Sequence, residues 1–238
     1  FTIDWDLVQA TINNRTKLLI LNSPHNPCGS ILTEADLESL ARIVEEHDLY
    51  VISDEVYEHM VFDNAKHLSM LCNERLRRRS FVVSSFGKTY HATGWKIAYC
   101  IAPTELTNEF RKIHQYVTFT THTPSQWAIA DFMQECPEHY LELSNFYQRK
   151  RDWFLKEMSG SRFKMSPSQG SYFQLADYSE ISDKEDVEFA NWLTQEIGVA
   201  AIPISVFYHS PPEQKIVRFC FAKDEKTLTA AATKLASI

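Results

Sequence analysis

Residues 18–54 read LLILNSPHNPCGSILTEADLESLARIVEEHDLYVISD, and the order of apolar and polar segments in this stretch decides the fold. Short apolar runs stand at both ends, at Leu18–Leu21 and Tyr50–Ser53, and each suits a strand that is buried on both faces. Between them, apolar residues fall on one face of a helix from about Thr33 to His47, in which Thr33 and Asp36 form a capping box. Strand, helix and strand in this order predict neighbouring parallel strands.

A third apolar run, Phe81–Ser84, leads into SSFGKTYHATGWK at positions 84–96. Ligands of open parallel sheets bind outside the carboxyl ends of the strands, so Asn26, Asp54 and Lys88 are expected to converge on one crevice. A lysine beside small residues at a strand end is placed to form a Schiff base. One such lysine is a weak indication, because most lysines are solvated. Three polar clusters after successive strands favour a functional site over ordinary loop residues.

These clusters, together with Arg218 near the end of the chain, resemble those of the class I/II aminotransferases, pyridoxal-phosphate enzymes that share the aspartate aminotransferase fold. The stretches Val83–Lys96 and Asn22–Gly29 most resemble the kynurenine and methionine aminotransferase branch. The resemblance covers essentially all 238 residues but matches only the later part of such an enzyme. It implies an α/β fold with part of a mostly parallel large-domain sheet and a small α+β C-terminal domain.

The resemblance assigns the cofactor chemistry to three residues after the second and third strands. Lys88 would hold pyridoxal 5'-phosphate as a Schiff base and, once freed, act as the general base at the substrate Cα. Asp54 would keep the pyridine nitrogen protonated, so that the ring can accept electrons. Tyr57, together with Asn26, matches the pair that hydrogen-bonds the phenolic oxygen of the cofactor. Lys88, Asp54 and Tyr57 are therefore the predicted catalytic residues.

The remaining assignments concern anionic groups. Ser85 and Lys96 match the residues that hold the cofactor phosphate, since a hydroxyl donor and an ammonium group suit a dianion. Arg218 matches the arginine that binds the substrate carboxylate through two parallel hydrogen bonds, and Asn26 is predicted to line the substrate site beside it. The implied reaction is ping-pong transamination between a large neutral, methionine-like or aromatic amino acid and a 2-oxo acid.

The predicted domain organisation follows the family pattern. Residues 1–137 would form the later part of the cofactor-binding large domain and residues 138–238 the small C-terminal domain, with a bridging helix at about 137–159. Arg218 would then reach the crevice from the second domain. The family also implies a homodimer, a glycine-containing phosphate loop, an aromatic ring that stacks on the cofactor and a tyrosine from the other subunit. The last three have no counterpart in this sequence.

Composition limits the partners. The net charge of -7 and the pI near 5.7 argue against nucleic acid or an anionic membrane as the main partner. Five cysteines without a C-x-x-C pair indicate neither a disulfide framework nor a zinc ribbon, and nine histidines without an H-E-x-x-H pattern predict no metal site. Reduced thiols suit the cytoplasm. No apolar stretch approaches the length of a membrane span.

Three other functions stay open at this point. A pyridoxal-phosphate C–S β-lyase would use the same lysine, aspartate and arginine, because β-elimination begins from the same carbanion. A catalytically silent, aminotransferase-like ligand-sensing module would keep the fold without the reaction. A nicotinamide enzyme is poorly supported, since no G-x-G-x-x-G follows any strand.

Overall fold

The computed structural model describes all 238 residues, and the predicted apolar runs form its first sheet. Strands β1 (Leu18–Asn22), β2 (Tyr50–Asp54) and β3 (Ser80–Ser85) are parallel neighbours in that order. Strand β4 (Ala98–Ile101) pairs antiparallel with β3 at the edge. The prediction of an α/β fold with a mostly parallel sheet is confirmed.

One face of this sheet is covered by helix α2 (Glu34–Glu46), on which the shorter α1 (Trp5–Thr11) packs. The predicted capping box is present: Thr33 Oγ1 accepts a hydrogen bond from Asp36 N at 3.2 Å, and the Asp36 carboxylate accepts one from Thr33 N at 2.8 Å. These bonds satisfy amide groups that the first helical turn leaves without partners, so the helix begins at Glu34.

The prediction that the three strands are buried on both faces is wrong for β1. Ile20 is 72% exposed and Leu18, two residues earlier on the same face, is 43% exposed, whereas Leu19 and Leu21 pack against the core under α2. Within the residues of this chain, a helix covers β1 on one face only. An apolar run alone does not reveal whether its second face has a partner.

The rest of the chain adds eight helices and a second sheet. This sheet has three strands, ordered first, third and second along the chain, with antiparallel pairing throughout. The largest core cluster lies between this sheet and the last three α-helices of the chain. No helix is long and apolar enough to cross a membrane. The remaining elements are α3 (Glu74–Arg77), α4 (Phe86–Thr89), α5 (Thr104–Val117), α6 (Thr123–Glu135), α7 (Glu138–Leu141), α8 (Leu143–Glu157), β5 (Phe173–Asp177), α9 (Asp186–Trp192), β6 (Ile202–Pro203), β7 (Ile216–Cys220) and α10 (Glu225–Leu235).

The predicted bridging helix at about 137–159 is divided in the structure. Helix α7 ends at Leu141, Glu142 adopts φ -89° and ψ -3°, and α8 continues to Glu157 before a short 3-10 turn. Early in α8 the Ser144 hydroxyl donates to the Val61 carbonyl oxygen, a tertiary bond that fixes the direction of the second segment. The domain boundary at 137 stays a prediction. The core cluster of the second sheet includes Tyr57, Met60 and Phe62, which precede residue 137 in the chain.

Candidate active site

The carboxyl ends of β1, β2 and β3 open into a cavity of about 420 Å³. This volume is within the usual range of small-molecule sites. Six of the seven predicted site residues line it: Asn26, Asp54, Tyr57, Ser85, Lys88 and Lys96. The seventh, Arg218, contacts Asn26. A larger cavity of about 780 Å³ lies beside α10 and touches Arg218 but none of the other six.

Lys88 lies on α4, the short helix that begins where β3 ends. Ser85 caps this helix, because its Oγ accepts a hydrogen bond from Gly87 N at 3.1 Å. The Lys88 Nζ is 6.0 Å from the centre of the Tyr57 ring and 5.7 Å from that of Tyr172. The amine therefore lies in the cavity wall near two aromatic side chains.

Asp54 is the last residue of β2. Its Oδ1 accepts a hydrogen bond from Val56 N at 3.2 Å, and its carbonyl oxygen accepts bonds from Ser23 N at 3.0 Å and Asn22 Nδ2 at 2.9 Å. These bonds join the ends of β1 and β2. The Asp54 carboxylate is thereby held at the mouth of the parallel sheet, where a positively charged ring nitrogen would find an anionic partner.

The residue that follows Asp54 in the chain is a buried acid, Glu55. Glu55 is 2% exposed and accepts hydrogen bonds from Ser53 Oγ at 2.9 Å and Met70 N at 3.0 Å, while His67 Nε2 lies 2.9 Å from its other oxygen. Burial alone would raise the pKa of Glu55, but the hydrogen bonds led by that of His67 outweigh it and lower this pKa below its usual value. The ionised, fully partnered side chain fixes the backbone beside Asp54.

Tyr57 is buried, and its ring meets Tyr172 edge-on at 5.2 Å between ring centres. Burial is the larger cause and the neighbouring Tyr172 the smaller one, and together they raise the pKa of Tyr57 well above its ordinary value. Tyr57 consequently keeps its phenolic proton at neutral pH and can donate a hydrogen bond to an anionic oxygen.

Arg218 projects from β7 of the second sheet to the loop after β1. Its Nη1 donates to Asn26 Oδ1 at 2.5 Å, and its guanidinium carbon stands 3.9 Å from the centre of the Phe173 ring. The Nε is buried without a hydrogen-bond partner, and burial lowers the pKa of this guanidinium. A half-buried arginine with an unused donor is chemically suited to a carboxylate ligand.

Ser85 and Lys96 face the cavity from the two sides of the turn between α4 and β4. The Ser85 hydroxyl donates to the Ile97 carbonyl oxygen at 3.2 Å. Lys96 has φ +57° and ψ 38°. These angles lie in the left-handed region of backbone conformation, which residues other than glycine rarely adopt. Such strain persists where the surrounding structure imposes it, and it often marks a functional site.

Sequence reasoning missed four residues of this site. Asn22 connects Asp54 to the backbone amide of Asn26, and Glu55 supports Asp54 from the core. Tyr172 and Phe173 form the aromatic wall under Lys88 and Arg218. Asn22 and Glu55 adjoin the quoted clusters, so their positions at strand ends could have identified them. Tyr172 and Phe173 carry no comparable signal, because they come close to Lys88 and Arg218 only through the folding of the second sheet.

Comparison with known proteins gives a consistent result. The sequence profile described as "Aminotransferase class I and II" matches residues 1–235. The methionine aminotransferase of Escherichia coli is 51% identical over 235 residues, which are 99% of this chain and 61% of that protein. The kynurenine–oxoglutarate transaminase of Dictyostelium discoideum is 35% identical over 98% of this chain and 59% of its own length.

Solved structures agree with these matches. The crystal structure of YbdL from Escherichia coli, identified as a methionine aminotransferase, superposes with a TM-score of 0.96 at 50% identity and covers 100% of this chain and 62% of that one. N-succinyldiaminopimelate aminotransferase from Mycobacterium tuberculosis gives 0.92 at 35% identity, with coverage of 100% and 62%. The chain thus spans about three fifths of the length of these relatives. Over that length it belongs to the class I and II aminotransferases.

Proposed function

We propose that this chain, within the complete protein, catalyses pyridoxal-phosphate-dependent transamination between an α-amino acid and a 2-oxo acid by a ping-pong mechanism. The observation that carries the proposal is the single cavity lined by Lys88, Asp54 and Tyr57, with Arg218 at its edge. The 51% identity to a methionine aminotransferase favours a large neutral, methionine-like or aromatic amino acid as the substrate.

The residues of the cavity fit the cofactor. Lys96 and the Ser85 hydroxyl suit its phosphate, and the Asp54 carboxylate suits a protonated pyridine nitrogen. Tyr57, protonated at neutral pH, and Asn26 suit its phenolic oxygen. When bound, pyridoxal 5'-phosphate supplies an electron sink for the negative charge that develops at the substrate Cα.

The side chains of this chain would share the remaining work. Arg218 binds the substrate carboxylate, and its aromatic and amide neighbours limit the orientations of the guanidinium. This contact orients the Cα–H bond, a contribution that requires positioning within a fraction of an ångström. The Lys88 Nζ would then carry the proton that leaves the substrate Cα, which is general acid–base catalysis by one amine. The Asp54 carboxylate would stabilise the positive charge of the adjacent pyridine nitrogen.

Borohydride reduction of the complete protein, loaded with pyridoxal 5'-phosphate, tests the proposal. Peptide mass spectrometry should place one pyridoxyl group on Lys88, and Lys88→Ala should remove both this label and amino transfer. Lys112→Ala, on the exposed face of α5, is the matched control. Product analysis then separates transamination, which yields a 2-oxo acid and an aminated acceptor, from β-elimination, which yields ammonia and a thiol. Labelling of another lysine, or elimination as the main reaction, would overturn the proposal.

The assembly and location are part of the same proposal. Exposed apolar side chains cluster at the end of α5 and on α6, where Tyr116 is 85% exposed and Phe119 and Trp127 are also exposed. Such patches mark interaction surfaces, and they support a homodimer of the complete protein. Five unpaired cysteines support a cytoplasmic location. Sedimentation of the complete protein, compared with a Tyr116→Asp, Trp127→Asp double variant, tests the dimer.

A further inference from the structure

A thiol and an imidazole lie in contact on the loop that follows β1. The His25 Nδ1 is 2.9 Å from Cys28 Sγ, and Ser30 Oγ is 3.1 Å from the same sulfur. The loop is tight, since Gly29 N donates to His25 O at 2.7 Å and His25 N donates to Ser30 O at 2.8 Å. The backbone therefore holds the three side chains together. The proposed transamination uses none of them.

This cluster faces a second cavity, of about 470 Å³, which shares no lining residue with the candidate active site. Cys28 lines it together with Ser168, whose side chain is 5% exposed and whose Oγ has no hydrogen-bond partner. A buried hydroxyl without a partner costs free energy unless it meets a polar group. Ser168 therefore leaves one polar group in the wall of this cavity without a partner.

The environment of Cys28 favours the thiolate. Burial alone would raise the pKa of the Cys28 thiol, but the hydrogen bond and the charge of His25, with the bonds of Ser30, outweigh it and lower this pKa. The charged residues that line the cavity are Lys164 and Asp177, and the Lys164 Nζ pairs with Glu180 at 2.8 Å. His25 is thus the ionisable group in direct contact with the sulfur.

We infer that Cys28, activated by His25, is a peroxide-reactive modification site separate from the transamination chemistry. The thiolate sulfur attacks one peroxide oxygen, so that an S–O bond forms and the O–O bond breaks. The sulfur is oxidised by two electrons to a sulfenic acid, and the peroxide is reduced. The leaving hydroxide takes the imidazolium proton of His25 and departs as water, which leaves a neutral imidazole.

Competition among the five cysteines of one molecule tests this inference. The complete protein is treated at pH 6 with hydrogen peroxide in the presence of dimedone, and the adduct on each cysteine is measured by peptide mass spectrometry. An ordinary thiol with a pKa of about 8.5 is under about 1% ionised at this pH. Cys28 should collect adduct on the order of tenfold faster than Cys72, which is more exposed but makes no hydrogen bond through its sulfur.

Two variants distinguish activation of the Cys28 thiol by His25 from simple exposure of that thiol to peroxide. In His25→Gln the rate at Cys28 should fall by on the order of tenfold while the rate at Cys72 is unchanged, and Cys28→Ser should remove the adduct from that peptide only. Equal rates at Cys28 and Cys72 in the unmodified protein would overturn the inference, as would an unchanged rate in His25→Gln. The readout is a covalent adduct, so it does not depend on whether the protein transaminates.

Discussion

Arg218 and Asn26, which are 192 positions apart, are joined by a hydrogen bond of 2.5 Å from Nη1 to Oδ1. The bond links the second sheet to the loop after β1 and leaves the buried Nε of Arg218 unpaired. It places the guanidinium at the edge of the cavity that contains Lys88 and Asp54. The proposed substrate anchor and the residues proposed to hold the cofactor thus meet only where the two sheets meet.

Arg218→Lys should keep the charge and lose the two-pronged contact. We expect kcat/KM for the α-amino acid to fall, and the fall should correspond to a loss of about 2–4 kcal/mol of transition-state stabilisation. The affinity for the cofactor should hardly change. Kinetics of the complete enzyme with the acid and with its carboxamide measure the effect, since the preference for the acid should narrow. Arg78→Lys, on an exposed helix end, is the control. An unchanged preference would assign the carboxylate to another residue.

Asp54→Asn preserves the shape of the side chain and removes its charge. Transamination should fall by several powers of ten, because each ~1.4 kcal/mol of lost transition-state stabilisation is tenfold in rate. Cofactor should remain bound through Ser85 and Lys96. Single-turnover rates and cofactor content, measured on the same preparation, separate chemistry from binding. A variant that retains both the wild-type rate and its cofactor contradicts the assigned role of Asp54.

Glu55→Gln should make stability less dependent on pH. The pKa of Glu55 in the folded protein is lowered, so its charge contributes stability that is fully present above the unfolded value of about 4.3 and is lost as pH falls through the folded pKa. At pH 7 we expect the variant to be less stable by about 1–3 kcal/mol, the usual worth of hydrogen bonds to a buried charge. Urea unfolding at pH 7 and pH 3.5 should show this deficit shrinking in acid. Glu38→Gln, at a surface pair, should show neither effect.

Gly29→Ala should strain the loop that contains Asn26 and Cys28. Gly29 has φ +70°, and an added Cβ would lie 2.7 Å from Ser168 Cβ and 2.8 Å from the Gly170 carbonyl oxygen. We expect a loss of stability of about 1–3 kcal/mol from overpacking alone. Gly160→Ala, where an added methyl group meets nothing within 4 Å, is the matched control. Equal unfolding midpoints for the two variants would show that the loop adapts.

The sequence pattern predicted the helices and strands whose bounds depend on residues close together in the chain. The strands at the start and end of 18–54 appear within one residue of their predicted bounds, and Thr33 with Asp36 caps α2 as its sequence indicates. The bare face of β1 at Ile20 could not be predicted, because an apolar run does not specify what covers it. The division at Glu142 lies two residues before Ser144, whose hydroxyl bonds to the distant Val61 carbonyl oxygen.

In the candidate site, likewise, the sequence indicated some of the residues but not the contacts between them. Residues at strand ends, such as Asn26, Asp54 and Lys88, could be inferred because parallel strands place their carboxyl ends together. Their contacts could not be inferred from composition or periodicity. Tyr172 lies near Lys88 although the two residues are 84 positions apart, and the left-handed backbone of Lys96 lies at the turn into β4.

The 192-residue separation of Asn26 and Arg218 also sets an order of events during synthesis. The loop, the carboxylate of Asp54 and the lysine of α4 all leave the ribosome before β7 is translated. A nascent chain at that stage has the groups that suit the cofactor but lacks the guanidinium that selects carboxylates. At synthesis rates of roughly 5–20 residues per second, the interval between Lys88 and Arg218 lasts on the order of ten seconds. In the proposed mechanism, the group that binds the substrate carboxylate is therefore translated after the groups that suit the cofactor.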